Sequence, residues 1–94
     1  MKARLLLHER HQLLTQAFAE LRVWQVPQPV HGSAHSYKYT LAYVVAGVCV
    51  LRYENEAGKG DHKHIGIVEA SYRFTTSGQL LTDFCQDVDQ WTPQ

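Results

Sequence analysis

The chain has 94 residues, enough for one hydrophobic core, so residues 1–94 are interpreted as a single domain. Hydrophobic residues make up 45% of the sequence, which argues against intrinsic disorder. No apolar run approaches the ~20 residues of a membrane-spanning helix. The nine basic and nine acidic side chains give a formal net charge of +0. Binding to nucleic acid would therefore require a local basic patch.

The N-terminal residues and the cysteines predict a cytoplasmic protein. The apolar stretch Leu5–Leu7 is shorter than the ~7 residues that a secretory signal needs. Cys49 and Cys85 lie in apolar segments without a C-x-x-C partner. This pattern favours two buried, reduced thiols, although it leaves a disulfide between them open.

The segment before Pro27 carries two conflicting patterns. Several apolar residues follow a helical stripe: Leu13, Leu14, Ala17, Phe18 and Leu21. The residues from Leu21 to Val26 alternate instead, as in a strand. The pattern alone favours a helix followed by a strand, and a β-hairpin stays open for residues 9–22. Pro27–Ser36, with its prolines and glycine, is predicted to be an exposed loop.

The middle of the chain predicts a β-hairpin. Alternate residues from Tyr37 to Val45 are large and apolar, which is typical of a strand with one buried face. A second run, Val48–Tyr53, follows the Gly-containing turn Ala46-Gly47. Lys38 and Arg52 are then expected on the opposite face, where they would form a basic strip. The tyrosines could stack on bases, but in strands they more often belong to the core.

The C-terminal part predicts a loop, a short strand and a helix. Residues 55–64 are polar and glycine-bearing, so they are assigned to a loop. Ile65–Glu69 is short and strand-like, and Tyr72–Phe74 is expected to continue the sheet. Apolar residues spaced about four apart predict an amphipathic helix over Ser77–Trp91. Thr76 and Gln79 match a capping box, and Pro93 would end the helix.

The loop that begins after Tyr53 carries the groups that phosphodiester chemistry uses. Gly58 and Gly60 flank Lys59, and either glycine would allow a tight turn or a close approach to a ligand. Asp61, His62 and His64 follow directly: Asp61 would orient one imidazole or form a turn, and the histidines would serve as general acid and base. Each residue also has a structural interpretation, as solvated loop histidines, a mobile lysine and a turn-forming aspartate. The usual zinc-ligand spacings are missing, so no metal site is predicted.

These motifs together resemble the TumE family of toxins from bacterial and archaeal toxin–antitoxin modules. The matching elements, in chain order, are Trp24–Pro27, His35–Tyr39, Tyr53–His64, Tyr72–Phe74 and Leu80–Phe84. One position departs from the family pattern, because Glu54 stands where an aspartate is usual. The resemblance implies two N-terminal strands. The fold class is then α+β, a small antiparallel sheet of two hairpins and about 4–5 strands packed against a C-terminal amphipathic helix.

The resemblance also implies a toxin that a cognate antitoxin neutralises, expected to be a short DNA-binding protein encoded adjacently. The loop chemistry adds the expectation of a metal-independent ribonuclease without a cofactor. Its catalytic residues would be His62, His64, Lys59 and Asp61, and its RNA would contact Lys38, Tyr53, Asn55 and Arg52. The alternative is a non-catalytic protein that docks on a cellular target or antitoxin through the histidine loop and a sheet edge. The oligomeric state is left open.

Overall fold

A computed structural model describes residues 2–91, which form six strands followed by one helix. The elements are β1 (Arg4–Leu14), β2 (Ala17–Gln25), β3 (Tyr37–Val45), β4 (Val48–Glu54), β5 (His62–Ile65), β6 (Val68–Ser71) and α1 (Ser77–Gln90). The strands form one antiparallel sheet in the order β1-β2-β3-β4-β5-β6. The predicted α+β class is confirmed, with a slightly higher strand count. Within residues 2–91 no helix is both long and apolar enough to cross a membrane.

The central hairpin β3–β4 forms as predicted. Its turn has two residues with positive φ, Ala46 at 50° and Gly47 at 80°. Two such residues in succession match the right-handed twist of the flanking strands. Tyr39, Leu41 and Tyr43 point to the buried face, as the alternation indicated.

The N-terminal segment is a hairpin, so the helix favoured by its pattern alone is wrong. β1 and β2 pair antiparallel around a turn at Thr15-Gln16. The residues of the helical stripe do not form one buried face, because Leu13 and Leu14 remain 46% and 67% exposed. The buried residues of β2 are instead every second one: Ala17, Ala19, Leu21 and Val23. Burial of this alternating set against the rest of the sheet outweighs the local helix propensity.

The boundaries predicted for residues 55–74 also need correction. The assigned loop ends before His62, and residues 62–65 form β5. A turn at Gly66-Ile67 separates β5 from β6, where one strand had been expected. Tyr72–Phe74 leads into the helix and does not continue the sheet. The short strand β5 is stabilised by pairing with the preceding strand β4, which its polar sequence does not predict.

Helix α1 covers one face of the sheet. Leu80 and Phe84 are its fully buried residues, and they join the alternate apolar side chains of β2, β3 and β4 in the core. The Thr76 side chain accepts a hydrogen bond from the Gln79 backbone N–H at 3.0 Å, which confirms the predicted N-cap. The Gln79 side chain donates to Asp83 instead of returning to the cap. The predicted stop at Pro93 lies outside the described residues.

Two helix carboxylates fasten α1 to the sheet. The Tyr53 hydroxyl donates to Asp87, and the Tyr72 hydroxyl donates to Asp83 at 2.6 Å. The Lys63 ammonium lies 3.4 Å from the same Asp87 carboxylate. Burial, and then the hydrogen bond to Asp87, raises the pKa of Tyr53 above its ordinary value, so the hydroxyl stays a donor. The acidic residues of the helix therefore serve partly to anchor it.

Both cysteines are free and exposed, so the prediction of buried thiols is wrong. Cys49 lies near the start of β4, close to the turn of the hairpin. Cys85 lies on the helix flank beside β1, where it lines a cavity of about 290 Å³ with Leu13 and Phe84. Neighbouring apolar residues in sequence do not bury a side chain that points away from the core.

We expect Tyr53→Phe to lower the free energy of unfolding by about 1–2 kcal/mol, because Asp87 loses a charge-assisted hydrogen bond but stays partly solvated. Urea denaturation measures the change. Tyr37→Phe is the matched control, since within residues 2–91 the Tyr37 hydroxyl forms no hydrogen bond, and its loss should cost less than about 0.5 kcal/mol. Equal losses in the two variants would contradict the anchoring role.

Candidate active site

The face of the sheet opposite α1 carries most of the strand residues whose side chains could take part in catalysis or binding. Residues directly opposite one another in antiparallel strands share a face. One row across this open face reads His8, Arg22, Thr40, Glu54, His62 and Ser71. The next row reads Arg10, Glu20, Ala42, Arg52, His64 and Glu69. The open face thus combines histidines, carboxylates and arginines on rigid strands.

Two histidines and a carboxylate meet at the β4–β5 end of these rows. The rings of His62 and His64 lie 5.0 Å apart at an angle of 75°. One nitrogen of each ring and one carboxylate oxygen of Glu54 all lie within 4.8 Å of one another. His62 is directly opposite Glu54, and His64 follows on the same face because the two histidines are two residues apart in a strand. We refer to Glu54, His62 and His64 as the triad.

A backbone contact fixes the orientation of His62. The ring is only 4% exposed, and its Nδ1 lies 2.9 Å from the carbonyl oxygen of Gly60. A carbonyl only accepts hydrogen bonds, so Nδ1 must carry the proton. In the neutral ring the lone pair is then on Nε2. His64 is more exposed, and its Nδ1 lies 3.9 Å from the Glu69 carboxylate.

Charged groups beside the triad are incompletely paired. The Arg52 Nε lies 2.5 Å from the Glu54 Oε2, yet this buried oxygen accepts no hydrogen bond with acceptable geometry. Charge attraction is present, but the donor is not aimed at the oxygen. In the neighbouring strands, Arg22 binds Glu20 at 3.2 Å while its own buried Nε has no partner among the described residues. Unpartnered buried polar atoms carry a desolvation cost, and such atoms are often found at binding sites.

Asp61 belongs to a different cluster from the triad. Its carboxylate accepts hydrogen bonds from the Ser33 hydroxyl at 2.7 Å, His35 Nε2 at 2.7 Å and the Tyr39 hydroxyl at 2.6 Å. His35 Nδ1 in turn accepts the Tyr37 backbone N–H, so both ring nitrogens are occupied. Asp61 hydrogen-bonds neither triad histidine within residues 2–91. The imidazole that Asp61 orients is therefore that of His35, and the expected orientation of His62 or His64 by Asp61 is not found among these contacts.

The partners of Asp61 keep it ionised. Burial raises its pKa, but the hydrogen bonds from Tyr39, His35 and Ser33 outweigh burial and leave the pKa below its ordinary value. Burial is the largest of the causes that raise the pKa of Tyr39, and its hydrogen bond to the Asp61 carboxylate raises this pKa further. An ionised Asp61 thus joins the β2–β3 loop (residues 26–36) and strand β3 to the β4–β5 loop (residues 55–61).

The two loops also meet through glycine backbones. Gly32 has φ of +99° and Gly60 has φ of +72°. A Cβ on Gly60 would lie 2.8 Å from the Gly32 carbonyl oxygen, closer than atoms can pack. The predicted close approach at Gly60 therefore exists, but its partner is the neighbouring loop. Gly58 also has a positive φ, of 86°, with open space around it.

The remaining predicted site residues are dispersed. Lys59 is 57% exposed, and its ammonium lies 3.9 Å from Glu56. Asn55 is buried and holds the loops: it donates to the Tyr37 carbonyl and accepts the Tyr39 backbone N–H. Tyr53 is buried on the helix side of the sheet. The structure therefore brings His62 and His64 together but places Asp61, Asn55 and Tyr53 in structural contacts.

Lys38 and Arg52 share the open face, as expected, but they do not adjoin. Lys38 lies opposite Trp24, with its ammonium 5.9 Å from the centre of the indole ring. The row containing Thr40 and Glu54 separates it from Arg52. Sequence reasoning missed Glu54, Arg22 and Trp24 as site residues. Glu54 and Arg52 alternate on one strand, which was the available signal that they share a face.

We expect Gly60→Ala to lower the free energy of unfolding by about 3 kcal/mol, because it adds both a strained φ and a collision with the Gly32 backbone. Gly58→Ala is the control for the strained φ alone, with an expected loss of about 1 kcal/mol. Thermal or urea unfolding of both variants provides the comparison. A Gly60 variant no less stable than the Gly58 variant would argue against the loop contact.

For Asp61→Asn we expect a loss of about 2–4 kcal/mol, since three donors lose their charged acceptor in a largely buried position. Asp89→Asn on the exposed side of α1 should change stability by less than about 0.5 kcal/mol. Chemical denaturation of the two variants tests the contrast. If the Asp61 variant were as stable as the unmodified chain, the structural role of this carboxylate would be contradicted.

The family comparison adds one finding to this geometry. The family model described as toxin TumE matches residues 2–92, nearly the whole chain. No curated protein and no solved structure shows a significant match to it.

Proposed function

The chain belongs to the TumE family of toxins, and on that basis we propose that it is a metal-independent ribonuclease whose active site is the triad with Arg52. A toxin family also points to a cognate antitoxin as partner. The observation that carries the proposal is the convergence of two imidazoles and a carboxylate within 4.8 Å on the open face. RNA cleavage by its own 2′-hydroxyl needs a proton acceptor, a proton donor and a cation, and no cofactor.

The geometry supports distinct roles for the two histidines. In its neutral form His62 presents the lone pair of Nε2, because the Gly60 carbonyl accepts its Nδ1–H, so the neutral ring would suit removal of the 2′-hydroxyl proton. His64 is the more exposed ring and suits proton donation to the leaving oxygen of an RNA strand. Arg52, directly opposite His64, is placed to neutralise charge on the phosphorus-bound oxygens. Glu54 holds this guanidinium near the histidines.

The proposed step balances without an external reactant. The 2′-hydroxyl proton passes to His62 as the 2′-oxygen forms a bond to phosphorus. The bond from phosphorus to the 5′-oxygen breaks, and that oxygen takes a proton from His64. The products are one strand with a 2′,3′-cyclic phosphate and one with a free 5′-hydroxyl.

A small excess of cations over carboxylates on the open face supports an RNA substrate despite the formal net charge of +0. The open face carries Arg10, Arg22, Lys38 and Arg52 beside the carboxylates Glu20, Glu54 and Glu69, whereas Asp83, Asp87 and Asp89 belong to the helix on the other side. Phosphates would meet the cations of the open face without facing the helix carboxylates. Trp24, partly exposed beside Lys38, offers an indole on which a base can stack.

We expect His62→Gln and His64→Ala each to lower the rate of RNA cleavage by about 100-fold to 10,000-fold, the range for loss of a general acid or base. The assay uses total cellular RNA with the purified chain and detects the new cyclic-phosphate ends. His11→Ala on β1 is the control with unchanged activity. Because His62 is buried, unfolding curves must show that its variant is folded.

Two results would contradict the ribonuclease. Cleavage of RNA whose 2′-hydroxyls are replaced by hydrogen would exclude the proposed attack. Folded His62 and His64 variants that still arrest growth at equal protein levels, with unchanged RNA ends, would favour the alternative of a protein that docks on its target without catalysis.

A further inference from the structure

We propose that Glu54, His62 and His64 form a binding site for Zn²⁺, and that the bound ion blocks the acid–base chemistry of the same residues. The metal site stands on the geometry of the triad alone. The blocking effect rests on the proposed ribonuclease function. The usual zinc spacings are absent from the sequence because the ligands come from two paired strands.

The donor atoms of the triad converge on one point. Two imidazole nitrogens and a carboxylate oxygen lie within 4.8 Å of one another. Ligands of a tetrahedral Zn²⁺, at about 2.0–2.1 Å from the ion, are roughly 3.3 Å apart. Small rotations of the side chains would therefore bring the three donors into range. Three protein ligands with one further position open is the usual arrangement of a zinc site that is accessible to small molecules.

The His62 ring is already held in the way that a metal ligand is held. Its Nδ1–H donates to the Gly60 carbonyl at 2.9 Å, which directs the lone pair of Nε2 away from that loop. Histidine ligands generally donate their other ring N–H in this way to a carbonyl or carboxylate. The Gly60 carbonyl is itself fixed by the contact of its residue with Gly32. The ring is thus oriented before any metal binds.

The Glu54 carboxylate lacks a well-aligned hydrogen-bond donor. Its Oε2 is buried and accepts no hydrogen bond, although the Arg52 Nε lies 2.5 Å away. A cation that approached this oxygen from the triad side would satisfy it. Arg52 is 44% exposed, so its side chain can move into solvent when the ion binds. Arg52 is therefore a competitor for the carboxylate and should weaken metal binding.

The donor set selects the class of metal. Two of the three ligands are imidazole nitrogens, which suit Zn²⁺ and other late first-row ions. Mg²⁺ prefers oxygen ligands and keeps several waters, so it should not compete. A bound Zn²⁺ occupies the lone pair with which His62 would accept a proton. RNA cleavage and metal binding at the triad are then mutually exclusive.

The test measures metal binding directly, by calorimetry with Zn²⁺ and by absorption spectroscopy with Co²⁺, on the untagged chain. We expect one ion per chain, a tetrahedral visible spectrum for Co²⁺ and no heat with Mg²⁺. Glu54→Gln and His64→Ala should weaken Zn²⁺ binding by about tenfold or more. Arg52→Gln should strengthen it several-fold, while the proposed ribonuclease function requires the same variant to cleave RNA more slowly.

Control variants address the other donors of the chain. His11→Ala removes the exposed pair with Glu9, and Cys49→Ser and Cys85→Ser remove the free thiols. All three should leave Zn²⁺ binding unchanged, and Co²⁺ should show no thiolate charge-transfer band. Loss of binding in a cysteine variant would overturn the triad site. Absence of one-to-one binding by the unmodified chain would overturn it as well.

RNA cleavage with and without Zn²⁺ tests the second half of the proposal. Suppression by one equivalent of Zn²⁺, reversed by a chelator, supports it. Cleavage that requires Zn²⁺, or that continues unchanged with the ion bound, overturns the blocking role. If no RNA is cut under any condition, the ribonuclease function fails, while the calorimetric result still decides whether the triad holds a metal.

Discussion

The contact between the β2–β3 loop and the β4–β5 loop is the constraint on which the rest of the site depends. Two loops without regular structure are locked together where Gly32 and Gly60 approach too closely for any side chain. The Asp61 carboxylate completes the contact by accepting three hydrogen bonds from the first loop and from β3. Loops usually vary and move, but these two are held by backbone shape and by a buried charge together. The start of β5 is fixed as a consequence.

The position at which β5 starts determines which residues can act together. Because side chains alternate along a strand, His62 and His64 point to the open face, whereas Lys63 points toward the helix and Asp87. Gly60 contributes again, because its carbonyl orients the His62 ring. The sheet separates two chemical environments in this way. Tyrosines and carboxylates hold the helix on one face, and imidazoles, arginines and Glu54 gather on the other.

Alternation in sequence was sufficient to predict the β3–β4 hairpin and its buried tyrosines, and spacing with a capping residue was sufficient for α1. The arrangement of residues 55–64 was harder to predict. Lys59, Asp61, His62 and His64 are close in sequence, which suggested one shared site, yet their side chains separate as soon as a strand begins at residue 62. That boundary depends on pairing with β4 and on Gly32, 28 positions before Gly60. Short polar strands carry little local signal, so tertiary contacts decide them.

Glu54 also gains its neighbours through the pairing of β4 with β5. In the sequence, Glu54 stands out only as a departure from the aspartate that is usual in the family pattern. In the sheet, it lies directly opposite His62 and is close enough to join both imidazoles. A carboxylate between two histidines and an arginine has two ways to lower its energy, through the guanidinium or through a metal ion. The poor hydrogen-bond geometry of the first leaves the second available, so at the proposed metal site Arg52 and a cation would compete for Glu54.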